Sequence, residues 1–304
     1  MNRDDEIDIL EILSVLFQGK WIIVLITSFA AILAVLYSLS LPNLYQSNSV
    51  LVPHDSSSSG SSPFQGVSGL ASLAGVNLTS QGSDSNSVKA IKKIKTLSFF
   101  ENNILPNIFL PELMAIKSWN PKTNILIFDE DIYDESSKTW VRNFSYPKEL
   151  IPSAQESFEV FKKNFSISQD NETGFITLKI KHQSPFVAKK WAEILVDEIN
   201  LYFEKKDKLK AEKSVLYLNK NIAKTNLTEI KQVMASLLQQ ETQKLMLIEA
   251  SESYVFEYLD PPAVMEIKSE PRRSFICILG TIVGFIAGIL IVLARFYIFN
   301  RRNS

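Results

Sequence analysis

Two uncharged apolar runs, one near each end, constrain this chain more than anything else in it. Trp21 to Leu41 holds about 21 residues without a charge, and Ser274 to Ala294 repeats the pattern. At 1.5 Å of rise per residue, each run makes roughly 30 Å of helix, the thickness of a bilayer's hydrocarbon core. Lys20 bounds the first run on one side and Pro42 on the other, with Trp21 and Tyr37 placed for the interfaces. The competing reading is a cleaved signal peptide. It fits poorly, because Asp4, Asp5, Glu6, Asp8 and Glu11 make the lead acidic rather than basic, and the run is too long.

The second run lies between Arg272-Arg273 and Arg301-Arg302, so its flanking charges are balanced and do not orient it. Two spans place both termini on one side. Short tails and a large middle predict a hairpin with cytoplasmic segments 1–20 and 297–304, spans 21–41 and 274–296, and an extracytoplasmic domain over 42–273. Gly280, Gly284 and Gly288 recur every four residues and so share one face of the second span. Such a face lets backbones approach closely, and it is the expected site of oligomer and membrane packing.

Between the spans the pattern changes several times. Gln46 to Pro53 reads as a strand with Val50 and Val52 on one face. Residues 56–87 are rich in serine and glycine and read as a flexible loop, although Phe64 and Gly69-Leu-Ala-Ser-Leu-Ala-Gly75 add an apolar patch. Ile91, Ile94, Leu97 and Phe100 then mark a helical stripe opposite Lys89, Lys92, Lys93 and Lys95. Those lysines suit either an acidic partner or an ordinary solvated face. Residues 105–157, dense in proline, aromatics and acids, predict only short elements. Phe165 to Ser168 and Phe175 to Lys181 read as a hairpin around the turn Asp170 to Gly174.

From Phe186 to Asp260, about 75 residues, there is neither glycine nor proline. Ser184-Pro185 opens the run as N-cap and first helical residue. Apolar residues follow at three- and four-residue steps, among them Trp191, Leu195, Ile199, Val215, Leu218, Ile230, Met234 and Leu238. A helix over 184–250 would span on the order of 100 Å, with a break expected near Asn219 to Asn226. Tyr254 to Leu259 reads as a closing strand that Pro261-Pro262 ends. The predicted fold is an α+β membrane protein: two transmembrane helices flank a domain with a small mixed sheet near the membrane and a very long helix.

The chemistry is sparse. A net charge of −1 gives no attraction to nucleic acid. Cys277 is the sole cysteine and lies within the second span, while His54 and His182 sit in or beside strands, so no His/Cys metal cluster is expected. Asp129, Glu130, Asp131, Asp134 and Glu135 lack the glycine and spacing of a calcium loop. No phosphate-binding loop or nucleophile elbow occurs. The sequence therefore predicts no catalytic residue, no cofactor and no metal, hence no enzyme.

Several words of sequence, taken in order, resemble the Wzz-type chain-length determinants of bacterial surface polysaccharides, the polysaccharide co-polymerases. They are the acidic lead from Asp4 to Trp21, Gly69 to Gly75, Thr173-Gly174-Phe175, and His182-Gln-Ser-Pro185 leading to Trp191-Ala192-Glu193 and Asn200. They continue in Tyr254 to Pro261 and in Pro271-Arg272-Arg273 before the glycine-repeat span. Met265 departs from the pattern, standing where a proline is expected in the segment before that span. The resemblance implies a two-pass protein of the bacterial inner membrane, its main domain periplasmic and both termini cytoplasmic. It further implies a bell-shaped homo-oligomer, in contact with lipid and the polysaccharide chain, that sets the length made by a Wzy-type polymerase, most often lipopolysaccharide O antigen. Some relatives add a tyrosine kinase domain, for which a chain ending at Ser304 has no room. On this reading Pro261, Pro262, Pro271, Arg272 and Arg273 form a membrane-proximal motif. A capsule or exopolysaccharide export adaptor of the same two-span architecture is the alternative.

Overall fold

A computed structural model describes residues 9–54, 86–251 and 253–302. The apolar patch at Phe64 and Gly69 to Gly75 lies outside the described residues. Along the chain come α1 (Ile9–Gln18), α2 (Lys20–Ser40), β1 (Tyr45–Pro53) and α3 (Asn86–Ile94). An irregular helical stretch follows, built from Leu97–Phe99, a π turn Phe100–Ile104 and a 3-10 turn Leu105–Asn107. Then come α4 (Leu110–Met114), β2 (Ile116–Asn120), β3 (Ile125–Phe128), β4 (Tyr133–Asp134), β5 (Thr139–Trp140) and α5 (Ala154–Asn164). The chain closes with β6 (Phe165–Gln169), β7 (Ile176–His182), α6 (Pro185–Ile222), α7 (Thr228–Ala250), β8 (Phe256–Asp260) and α8 (Arg273–Arg302). It divides into two compact units, Met1–Leu44 with Ile267–Ser304, and Tyr45–Glu266.

The first unit is the helix pair. Lys20–Ser40 and Arg273–Ile298 have mean hydropathies of 2.6 and 2.9, and only 17% of each apolar window is buried, which sets them apart from the core helices of a soluble domain. Gly19, with φ −86° and ψ 6°, separates α2 from α1. Val15, Ile23 and Val292 pack together beside that joint.

The second unit is built on a four-stranded antiparallel sheet in the order β6-β7-β1-β8. The two strands at either end of the domain, β1 and β8, are neighbours in it, with Leu51 opposite Tyr258 and Pro53 opposite Phe256. Strict alternation in β7 buries Ile176, Leu178 and Ile180 and leaves Thr177, Lys179 and Lys181 on the other face. The β6–β7 turn is closed by Gly174 N–H to Asp170 C=O at 2.9 Å, with Gly174 at φ 73°, where a side chain is disfavoured. In β1 the buried face is Ser47, Ser49 and Leu51 rather than a valine stripe, because Val50 and Val52 alternate onto the half-exposed side. Ser47 stays satisfied there by donating to the Ala263 carbonyl at 3.0 Å.

The first half of α6 lies on this sheet. Ala188, Trp191, Ala192, Leu195, Val196 and Ile199 recur at helical spacing and are all buried in one core with Leu51, Leu178 and Ile180. Phe99, Phe100, Phe158 and Phe161 complete that core from the irregular stretch and α5.

Past Phe203 the helix leaves the sheet. The helical run expected over 184–250, with a break near Asn219 to Asn226, is two helices: α6, 38 residues and about 57 Å long, and α7. They pair antiparallel, since Lys208 meets Glu249 at 2.9 Å and Thr225 meets Met234 at 3.8 Å. The break at 223–227 follows from Asn221, Thr225 and Asn226, whose short polar side chains compete for backbone partners. Thr225 Oγ1 donates to the Asn221 carbonyl at 3.0 Å, and Leu227 is extended.

Candidate functional site

In the helix pair, a Cβ built on Gly280 would collide with that of Ala34, and one on Gly284 with that of Ala30. A Cβ on Gly288 would lie 3.1 Å from the Ile23 Cα. All three glycines thus face α2 of the same chain, where Thr27, Ala30, Ala34 and the buried Ser38 supply a matching seam of small residues. For packing between copies these glycines offer no open face, because the first span already occupies it. The large side chains point outward: Trp21 is 76% exposed, and Leu25, Phe29, Leu36, Phe275 and Ile278 are exposed with it. That is the arrangement a lipid solvent requires, since only apolar surface meets the hydrocarbon and the backbone bonds stay inside helices.

Where the two spans meet the domain, the chain is stitched to itself. Leu44 N–H donates to the Glu270 carbonyl at 2.9 Å, and Ser269 N–H donates to the Leu44 carbonyl at 2.8 Å. Asn43 Oδ1 accepts from Lys268 Nζ at 3.3 Å and from Arg273 Nη2 at 3.2 Å. The Pro271, Arg272 and Arg273 motif is therefore the entry to α8: the Arg272 carbonyl accepts from Phe275 and Ile276, and Pro271, preceded by a cis peptide, accepts from Arg273 N–H. Pro261 and Pro262 belong to the other unit, where they follow β8 and where Pro262 is buried. Asn43 is a member of this site that sequence reasoning missed. Its only signal was its position just past Pro42.

In the second unit the perturbed groups serve structure. His182 Nε2–H donates to the Glu112 carbonyl at 2.9 Å, and its Nδ1 accepts from Ser184 N–H at 3.0 Å. This neutral ring, edge-on to Trp191 at 4.9 Å, ties β7 and the start of α6 to α4. Burial lowers its pKa to about 4. Burial also raises the Glu112 and Asp197 carboxyls, against Lys190 in the first case and reinforced by Glu193 in the second. Arg142 grips Glu156 with two bonds of 2.6 and 2.8 Å and donates to the Leu150 and Glu149 carbonyls, which holds Glu156 below the usual carboxylate range. Asn200 Oδ1 accepts from Val255 N–H and Phe256 N–H, and its Nδ2 donates to the Phe256 carbonyl, all at 2.9 Å. The amide acts as a missing neighbour strand at the edge of β8. Asp129 and Asp134 spend carboxylate oxygens on the N–H groups of their own turns.

No curated protein matches the chain. Among solved structures, one described as a full-length bacterial polysaccharide co-polymerase is 15% identical, with a TM-score of 0.40, covering 97% of this chain and 99% of that one. A second, a fragment of WzzB, a polysaccharide co-polymerase from Salmonella Typhimurium, is 11% identical, with a TM-score of 0.32, covering 75% and 100%. At such scores the likeness carries no weight on shape or function. The family described as Wzz, chain length determinant protein, matches residues 5–98. That stretch runs from the acidic lead through α1, α2 and β1 to just past α3. Over that stretch, about a third of the chain, the sequence is similar to the Wzz chain-length determinant family.

Proposed function

We propose that this protein regulates, without catalysis, the length of a surface polysaccharide, most often lipopolysaccharide O antigen, by acting as an oligomeric scaffold on a Wzy-type polymerase. The observation that carries the reading is the match of residues 5–98 to the chain-length determinant family. Supporting it are two helices apolar enough to cross a membrane and perturbed titratable groups that are tied up in packing rather than gathered in a cleft. On this reading the two spans lie in the bacterial inner membrane, residues 45–266 stand in the periplasm, and both termini are cytoplasmic. The scaffold's working surface is the soluble domain.

The test is deletion of the gene followed by electrophoresis of surface polysaccharide. Polymer that persists but loses its preferred length supports length control. Disappearance of all surface polymer would overturn it in favour of an export role, and an unchanged ladder would overturn both.

A further inference from the structure

Resting on that reading, we propose that a groove along α6, beside the irregular helical stretch, docks a negatively charged sugar of the polymer. The groove is open to solvent, holds about 340 Å³ and is lined by Asn103, Leu201, Tyr202, Lys205, Lys206 and Leu209. That volume lies in the range of small-ligand sites, which begins at about 300 Å³. Positions 201, 202, 205, 206 and 209 fall on one helical face, so α6 presents all of the wall but Asn103.

The wall has two chemistries. Leu201, Leu209 and Tyr202 supply apolar surface, and Lys205 and Lys206 supply charge. A third cation arrives from α3, where Lys93 Nζ lies 4.9 Å from the Tyr202 ring centroid and donates to Ser98 Oγ at 3.0 Å. Lys206 Nζ lies 5.4 Å from the Phe203 ring. Among the described residues none of these three lysines has a carboxylate within ion-pair distance. The acids next to them in sequence are Glu204 and Asp207, of which Asp207 accepts from Tyr254 Oη at 2.7 Å, and two turns back Glu198 is held by Asn103 Nδ2 at 3.3 Å and Asn107 Nδ2 at 2.9 Å. Of the α3 lysine stripe, Lys93 thus lies beside the groove residue Tyr202.

A pyranose fits both chemistries. Its C–H face suits the Tyr202 ring and the leucines, its hydroxyls suit the Asn103 Oδ1, and a carboxylate or phosphate substituent suits the lysines. An acidic peptide meets the charge but has no flat C–H face for the ring.

The test uses the full chain in nanodiscs, titrated calorimetrically with oligogalacturonate, phosphomannan and neutral dextran of matched length, and with poly-glutamate. Tighter binding of either charged glycan than of dextran, weakened by salt, supports the site and identifies the charge. The Lys205→Gln/Lys206→Gln variant, both positions being solvent-facing, should keep its circular dichroism and bind the charged glycan roughly tenfold more weakly, about 1.4 kcal/mol. Unchanged binding in that variant, equal affinity for dextran, or equal affinity for poly-glutamate would each overturn the proposal. Length control fails separately: if gene deletion leaves the polysaccharide ladder unchanged, that reading falls whatever the groove binds.

Discussion

The protein contains two antiparallel helix pairs, and they solve opposite problems. The pair α2/α8 meets along glycine and alanine, with Gly280 against Ala34 and Gly284 against Ala30, and turns its large side chains outward. The pair α6/α7 buries Ala211 and Leu218 from α6 and Ile248 from α7, with an exposed ion pair, Lys208–Glu249 at 2.9 Å, between them. Yet it too leaves apolar side chains exposed: Leu209, Leu216 and Tyr217 on α6, and Ile230, Val233 and Leu237 on α7. Exposed apolar surface is the resting state of a helix in lipid. On the hairpin, which the proposed function puts in the periplasm, it is a surface waiting for cover. The proposed function assigns assembly between copies to the hairpin, because α2 of the same chain already fills the glycine face.

Substitutions two residues apart should break the hairpin's two faces from each other most clearly. Leu218→Ala empties a buried seam position and should cost about 2–5 kcal/mol in denaturant unfolding of the detergent-solubilised protein. Leu216→Ala, on the exposed face, should change unfolding by no more than about 0.5 kcal/mol. Equal effects at both positions would mean that the hairpin is not packed as described.

Acid sharpens the comparison at the root of α6. With the His182 pKa lowered from 6.5 to about 4, the unfolded chain binds the extra proton first. The stability due to this group is complete above pH 6.5, falls as pH drops through the window, and levels off below about 4. The loss is about 3 kcal/mol. His182→Phe should be less stable at neutral pH but show a shallower decline between pH 6.5 and 4, followed by tryptophan fluorescence. An identical slope in the variant would assign the acid loss to other groups.

For the helix pair, Gly284→Leu places a side chain where Ala30 already stands, an overpacking cost of about 1–3 kcal/mol. The detergent-solubilised variant should therefore unfold at a lower temperature than the wild-type chain, followed by circular dichroism. An unchanged unfolding temperature would show that the seam tolerates separation. The smallest effect belongs to Lys208→Ala. Its exposed ion pair with Glu249 is screened by water, and the unfolding midpoint should not move.

Much of this architecture is legible in the sequence because length and period leave few choices. An uncharged 21-residue run has to span or be buried, and the alternation of Ile176, Leu178 and Ile180 admits only a half-buried strand. The break in the long helix falls beside the asparagines and threonine that weaken it. Helix α5 was harder to see among aromatics, although Ser153 and Glu156 carry the signature of a helix start: Ser153 Oγ accepts from Glu156 N–H at 3.2 Å. Asn200, Arg142 and Asn43 were invisible as structural hubs because their partners lie far away in sequence or on backbone atoms. The glycine face was legible, but its partner was not, since periodicity reports a seam without saying which helix fills it.

The central claim of the proposed function is that length control resides in an assembly surface on the unit Tyr45–Glu266. It is tested most directly by the surface-polysaccharide ladder of a deletion strain complemented with Leu216→Glu/Val233→Glu, a variant altered only on exposed hairpin positions. Wild-type chain should restore a preferred length. The variant, present in the membrane at equal amount, should yield polymer of broadened length. A wild-type ladder from the variant would contradict the account.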